Sequence, residues 1–379
     1  MSLTVCIAAK TLYSPFLGGH LWVYLNWALG LRSLGCQVIW LEAYDPCTPA
    51  ERVSAYAAAL KACLAPYGLA ERLALCPLSA APLPAQLRRD CLELDAAAES
   101  DLLLNQYYGL PGEVVGRFRR SALLDIDPGL LQVWIGSGCL QVARHDVYFT
   151  IGETVGRDAA RVPDLGVAWQ YTPPCVCLTC WPVAEPAAGA SFTTVSNWSA
   201  DEWMMDGGEA YSNDKRTGFL PFLDLPSHTA QPLELALCLG ATAGDEDERS
   251  RLRRRGWRVR DASRVASTPW DYQRYIQESR GEFSCVKPSC LRLQNAWISD
   301  RTLCYLASGK PAVVQDTGPS RFLPDRSGLF RFRSAAEAAG CLEVVATHYE
   351  RERRAARALA EEFFDAGKVA RGVLERALG

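Results

Sequence analysis

Two groups of residues in this 379-residue chain have the types and spacing for chemistry on charged or hydroxylated groups. The first is Ser299-Asp300-Arg301-Thr302. Ser299 or Asp300 suits the cap of a helix starting near Arg301, because such side chains accept hydrogen bonds from first-turn amides. The remaining free amides and the helix dipole favour an anion there, and Arg301 in the first turn adds a planar fork for phosphate oxygens. Gly309 ends the helix, Pro311 to Val314 reads as the next buried strand, and Asp316-Thr317-Gly318 is its polar exit. Lys287 and Arg292 follow a strand at 282–286 and fall in the loop expected to edge a diphosphate. The second group lies near the N-terminus, at Gly18-Gly19-His20. The glycines let a substrate approach the backbone, and the histidine suits a general base or a hydrogen bond to a hydroxyl.

Other polar candidates are weaker. Asp125-Ile126-Asp127 places both carboxylates on one face if the segment is extended. Glu153 follows Gly152 at a strand exit. His145-Asp146 either position each other or cap a turn. The cysteines at 175, 177 and 180 lack a second Cys/His pair at zinc-finger spacing, so they read as part of a buried strand leading into a turn at Trp181-Pro182.

The elements that must carry these residues alternate between strand and helix. Residues 3–9, a helix from about 20 to 34, and 38–41 make one strand-helix-strand unit of a parallel sheet. Strands are predicted at 102–105, 122–127, 147–152 and 191–195. A polar stretch over roughly 196–230 reads as an interdomain connection. A second alternation follows, with strands at 233–239, 257–261, 282–286 and 311–315 and helices over 245–255, 271–279 and 300–308. The expected architecture is α/β: two Rossmann-like doubly wound domains facing a cleft, with C-terminal helices. The expected limits are 1–200, a connection over 201–230, a second domain over 231–345, and helices over 346–379.

Composition narrows the function. The formal net charge of −3 argues against a nucleic-acid binder, and the Arg-rich block 251–264 is flanked by acids, as on a solvated helix face. No apolar run is long enough for a transmembrane segment. The N-terminus lacks a secretory pattern, and the fifteen scattered cysteines suit reduced thiols; a cytoplasmic location is expected. Tyr13, Phe16, Trp22, Tyr107 and Tyr108 offer rings near the first crevice, for stacking on a sugar or for core packing.

The segment Gly309-Lys310-Pro311-Ala312-Val313-Val314 resembles the helix-to-strand junction of GT-B-fold glycosyltransferases, the broad group that includes family 4. More narrowly, the chain is similar to a bacterial group related to spore-maturation glycosyltransferase-like proteins. The matching phrases are Gly18-Gly19-His20, Asp125 to Gly129, His145 to Gly152, Phe192 to Val195, Tyr275 to Gln277, 300–318 and Phe363-Phe364-Asp365. One departure stands out. Many family-4 enzymes carry a glutamate where this chain has Cys304, so Arg301 is expected to take more of the phosphate recognition.

The resemblance implies transfer of a sugar from a nucleotide-diphosphate sugar, expected to be a UDP-sugar, to a small-molecule acceptor. Retention of configuration and metal independence are implied, with no cofactor beyond the nucleotide sugar as co-substrate. It places Lys287, Arg292, Ser299, Asp300, Arg301, Thr302, Asp316, Thr317 and Gly318 on the sugar donor. It places Gly18, Gly19, His20, Asp125, Asp127 and Glu153 on the acceptor. His20, Asp127 and Arg301 are the catalytic candidates. The Asp-x-Asp spacing also occurs in metal-binding GT-A enzymes, but the two-domain reading puts these aspartates in the acceptor half. A nucleotide-sugar-binding protein without transferase activity, or a nucleotide-sugar epimerase or hydrolase, is the alternative. The oligomeric state is open.

Overall fold

The computed structural model describes residues 2–14, 17–79, 81–157, 160–206 and 209–379. The chain divides into two compact units, residues 1–177 with 365–379, and residues 178–364. Each is built on one parallel sheet. Among the described residues, no helix is long and apolar enough to cross a membrane.

The first unit contains β1 (Thr4–Ala9), β2 (Gln37–Tyr44), β3 (Leu73–Pro77), β4 (Leu102–Asn105), β5 (Ser121–Asp125), β6 (Val147–Thr150) and β7 (Trp169–Tyr171). Their order is β3-β2-β1-β4-β5-β6-β7. The central strands are apolar and almost wholly buried, as a sheet covered on both faces requires. The order reverses between β1 and β4, so the ligand crevice of such a sheet opens beyond Ala9 and Asn105. The helix Gly18–Ser33 follows β1. It packs against the last helix of the chain, Ala366–Leu378. That packing is close: a Cβ on Gly30 would stand 2.5 Å from the Ala366 carbonyl oxygen.

The second unit contains β8 (Phe192–Asn197), a hairpin of β9 (Trp203–Asp206) and β10 (Glu209–Ser212), then β11 (Leu233–Cys238), β12 (Arg258–Asp261), β13 (Gly281–Ser284), β14 (Ala312–Gln315) and β15 (Leu329–Phe332). The main sheet runs β12-β11-β8-β13-β14-β15. Its reversal lies between β8 and β13. A core of Phe192, Phe219, Leu235, Trp257, Phe283, Phe330 and Phe332 fills one face.

These assignments move the expected domain limits. The 191–195 strand belongs to the second sheet, paired with β11 and β13, rather than to a first domain ending at 200. The 201–230 stretch is no free connection: it forms the β9–β10 hairpin and the helix Lys215–Phe219 inside the second unit. Polar composition misled there because a few apolar side chains, Phe219, Phe222, Leu223 and Leu225, anchor the segment in the second core. The terminal helices also separate, Tyr349–Phe363 with the second unit and Ala366–Leu378 with the first.

Candidate functional site

The expected helix start is correct. Ser299 Oγ accepts from the Arg301 amide at 3.3 Å, and the helix runs Asp300–Ala307. It stops at Gly309, whose φ of +68° needs no side chain, and the Lys310 and Gly309 amides return to the Tyr305 and Leu306 carbonyls. The Tyr305 hydroxyl pins the inner face to Thr193 of β8 at 2.5 Å. The helix N-terminus thereby stands at the carboxyl edge of β8 and β13, where the strand order reverses.

Arg301 is not the open fork expected. Its Nε donates to Glu282 Oε1 at 2.8 Å and its Nη1 to the Val195 carbonyl at 3.2 Å. The two side chains are 10% and 0% exposed. Thr302 is buried against the core and offers nothing to a ligand. Arg301 is thus the cationic half of a buried ion pair, its guanidinium bridging β8 and β13.

The cation placed beside it is Lys215. The helix Lys215–Phe219 is capped by Asp214. It lies so close to the loop after β13 that a Cβ on Gly218 would stand 1.9 Å from the Val286 carbonyl oxygen. This approach brings Lys215 Nζ to the Cys285 carbonyl at 2.9 Å and to 5.7 Å from the Trp297 ring centre. Burial, reinforced by the Arg301 charge, pulls its pKa down to about 7. A group this easily deprotonated is poised to gain an anionic partner. Lys287 belongs to the same group of charges, with Nζ on Glu202 Oε2 at 2.5 Å. Arg292 is turned aside, its guanidinium 3.9 Å above the Tyr211 ring of β10.

The polar exit of β14 braces the neighbouring loop. Thr317 Oγ1 donates to the Trp297 carbonyl at 2.7 Å, and the Ala296 amide donates to the Thr317 carbonyl at 3.0 Å. Asp316 accepts from the Gly318 amide and pairs with Arg333, so its carboxylate is already occupied. Gln294 and Ala296 both hold left-handed φ, +50° and +53°. Such backbone is costly and is kept where surroundings dictate it.

In the first unit, His20 lies two residues into the helix Gly18–Ser33; Gly18, expected on the acceptor, is buried, and Gly19 and His20 are half-buried. His20 Nε2 lies 2.8 Å from the Lys10 carbonyl, which only accepts, so Nε2 carries the proton. Burial lowers its pKa, partly offset by that bond and by the nearby Asp127 charge. The neutral ring keeps an unprotonated Nδ1. Asp125, expected on the acceptor, is instead fully buried. It accepts from Gln132 and Thr150 side chains at 2.8 Å and from the Asp127 amide at 3.0 Å. Burial lifts its pKa to about 6. Asp127 remains partly exposed, its Oδ2 3.2 Å from the Tyr108 hydroxyl.

Glu153 is also buried, 3.9 Å from Arg157, and is no open carboxylate. His145 and Asp146 do not position each other; they bond Asn105 with Ala143, and Ser121, respectively. Trp22 is core, Tyr13 is exposed, and Phe16 lies outside the described residues. Cys175 and Cys177 are buried and form no disulfide. Among the described residues, no group of three His, Cys, Asp or Glu is placed to hold a metal ion. Sequence reasoning missed Lys215, Glu282's pairing, Trp297 and Gln106. Gln106, the residue after β4, has its side-chain amide buried and unpartnered.

Two doubly wound parallel units, each with its polar groups at the point of strand reversal, define the GT-B fold, and this chain has it. Similar solved structures include an alpha-glucosyltransferase in complex with UDP, at TM-score 0.62 and 11% identity over 100% of both chains. Sucrose-phosphate synthase from Thermosynechococcus elongatus matches at TM-score 0.55 and 12% identity over 99% of each chain. HepE from Anabaena, solved with UDP and glucose, matches at 0.55 and 11% over 99% of each. No protein-family model matches the sequence, and no curated protein matches it.

Proposed function

We propose that this protein transfers a glycosyl group from a nucleotide-diphosphate sugar, a UDP-sugar, to a small-molecule acceptor. The observation that carries the reading is the gathering of Lys215, Lys287 and Arg301 at the β8–β13 reversal beside a capped helix N-terminus. Two of the structures similar in fold hold UDP, which suits a diphosphate at such an edge. Three similar solved structures of alpha-glucosyltransferase also hold DNA. The net charge of −3 favours a small acceptor for this chain.

In the proposed reaction the bond from the sugar anomeric carbon to the diphosphate oxygen breaks, and its electron pair leaves with the diphosphate. Lys215, Lys287 and the Arg301–Glu282 base, with the amides after Ser299, hold the charge that builds there. This is electrostatic stabilisation by groups already in place. The acceptor oxygen forms the new bond to the anomeric carbon. Its hydroxyl is held by the His20 Nδ1 lone pair, with the Lys10 carbonyl orienting the ring through Nε2 and the Asp127 charge nearby. In a same-face, retaining transfer the acceptor proton passes to the departing diphosphate oxygen. Because protein cations supply the positive charge, turnover is expected to persist in excess chelator.

The test is a nucleotide-sugar panel read by thermal shift and by product analysis. A UDP-sugar is expected to raise Tm, because a ligand of the folded state stabilises it, and to yield product only with an acceptor present. Product from the sugar alone would indicate an epimerase or hydrolase. Absence of binding by every nucleotide sugar would overturn the proposal.

A further inference from the structure

The opposite end of the helix Asp300–Ala307 buries a second set of hydrogen-bond donors that the proposed reaction does not use. Lys310 and Ser308 are both 0% exposed, and neither Lys310 Nζ nor Ser308 Oγ has a hydrogen-bond partner. Arg353, 6% exposed, leaves its Nε buried and unpartnered. Its other two nitrogens are occupied by Glu185, Glu350 and the Ala184 carbonyl. These groups are neighbours. The Ser308 carbonyl accepts from the Ala184 amide at 3.2 Å, and the Ala184 carbonyl accepts from Arg353 at 3.1 Å. Arg353 acts electrostatically on Lys310. Arg280, also with a buried unpartnered Nε, lies 4.4 Å above the Tyr349 ring, and the Arg353 guanidinium lies 5.8 Å from the same ring.

A buried ammonium without an acceptor is among the costliest arrangements in a protein interior. It is relieved by losing the proton or by meeting an anion. Burial and the Arg353 charge lower the Lys310 pKa to about 7, so near neutral pH both routes are open and an anion binds the protonated form. Lys310, Arg353 and Arg280 are three cations. The carboxylates among them are Glu185 and Glu350, which are mostly exposed and already bound to Arg353. Arg357, next along the same helix, is paired with Glu361. With Lys310 protonated, one unit of positive charge stands uncompensated, among neighbouring residues whose buried donors lack acceptors. The full burial of Lys310 and Ser308 excludes an organic ligand.

We propose that Lys310, Ser308 and Arg353 form a buried site for a monovalent inorganic anion of halide size. This does not rest on the glycosyl-transfer reading. The anion would fasten the end of the helix that carries Arg301 at its other end. It would also strengthen the knot in which Arg357 bonds the Ala307 and Trp181 carbonyls.

The experiment is thermal unfolding of the full chain in sodium bromide and in sodium gluconate at matched ionic strength, for wild type and Lys310→Met. General salt effects act on both proteins alike. The bromide-minus-gluconate difference in Tm is expected to be roughly 2–4 °C larger in wild type, and to saturate with bromide. An equal difference in the two proteins would overturn the site. Should Lys310→Met fail to fold, anomalous diffraction from bromide-soaked wild-type crystals decides instead. A peak within hydrogen-bond distance of Lys310 Nζ is expected; water there, with bromide only at surface arginines, refutes the proposal.

Discussion

Replacing Lys215 by Met tests the proposed sugar-donor site most directly. The change keeps the aliphatic stem and removes the charge. A charge-assisted hydrogen bond is worth about 1.5–3 kcal/mol, so the variant should bind UDP-glucose roughly 10- to 150-fold more weakly. The pH dependence is sharper still. The amine of the free protein titrates at about 7, and a bound diphosphate holds it protonated, so only the ammonium form binds well. Affinity must then fall as pH rises through 7, with proton uptake on binding. From pH 7 to pH 8 the protonated fraction drops from one half to about one eleventh, so the wild-type Kd should rise about fivefold. Titration calorimetry in buffers of different ionisation enthalpy reads both the Kd and the uptake. Lys215→Met should show neither the pH slope nor that uptake. Wild-type affinity in the variant, or a wild-type Kd flat from pH 7 to 8 with no proton uptake, would refute the assignment of Lys215 to the diphosphate.

The folded-state pKa of Lys215 also bears on the unliganded protein. Its lowered value means a stability penalty fully present below about pH 7, shrinking as pH rises toward the ordinary lysine value, and urea melts should show this slope in wild type and not in Lys215→Met. Arg301→Met strands Glu282 as a buried charge and should cost about 3–5 kcal/mol in urea unfolding, while adding Glu282→Gln should restore much of that stability without restoring turnover. Gly218→Ala forces a Cβ into the Val286 carbonyl and should lose about 1–3 kcal/mol together with UDP-glucose affinity, in one calorimetric comparison. Tyr108→Phe removes the hydroxyl that accepts from the Ile126 and Asp127 amides, and should lower stability by about 1–3 kcal/mol by thermal melt. His20→Gln should cut transfer roughly 100-fold by loosening the acceptor hydroxyl, while leaving UDP-glucose Kd unchanged.

Much of the architecture was legible because buried parallel strands announce themselves as short apolar runs. The strands 3–9, 102–105 and 312–315 stand where periodicity places them, and Ser299 and Gly309 bound their helix as local chemistry dictates. The site was less legible. A charged side chain in sequence carries no mark of its partner, so Arg301 read as a free fork when a carboxylate nineteen positions earlier had already claimed it. Asp125 read as a ligand group for the same reason, since its neutralising donors come from Gln132 and Thr150. Lys215 was hidden by its setting. The stretch around it is polar and glycine-bearing, and only the close approach at Gly218 reveals that it belongs at a sheet edge.

The closing helix of the first unit, Ala366–Leu378, has a consequence for biosynthesis. The ribosome makes all of residues 178–364 between this helix and the rest of its own core. Until it arrives, Gly30 and the surface around it wait uncovered, and Arg120 lacks the Ala377 carbonyl it will bind. Of the two units, the one holding β1 is therefore completed after the other, and a nascent chain stalled between residues 178 and 365 leaves the helix Gly18–Ser33 without the helix that covers it.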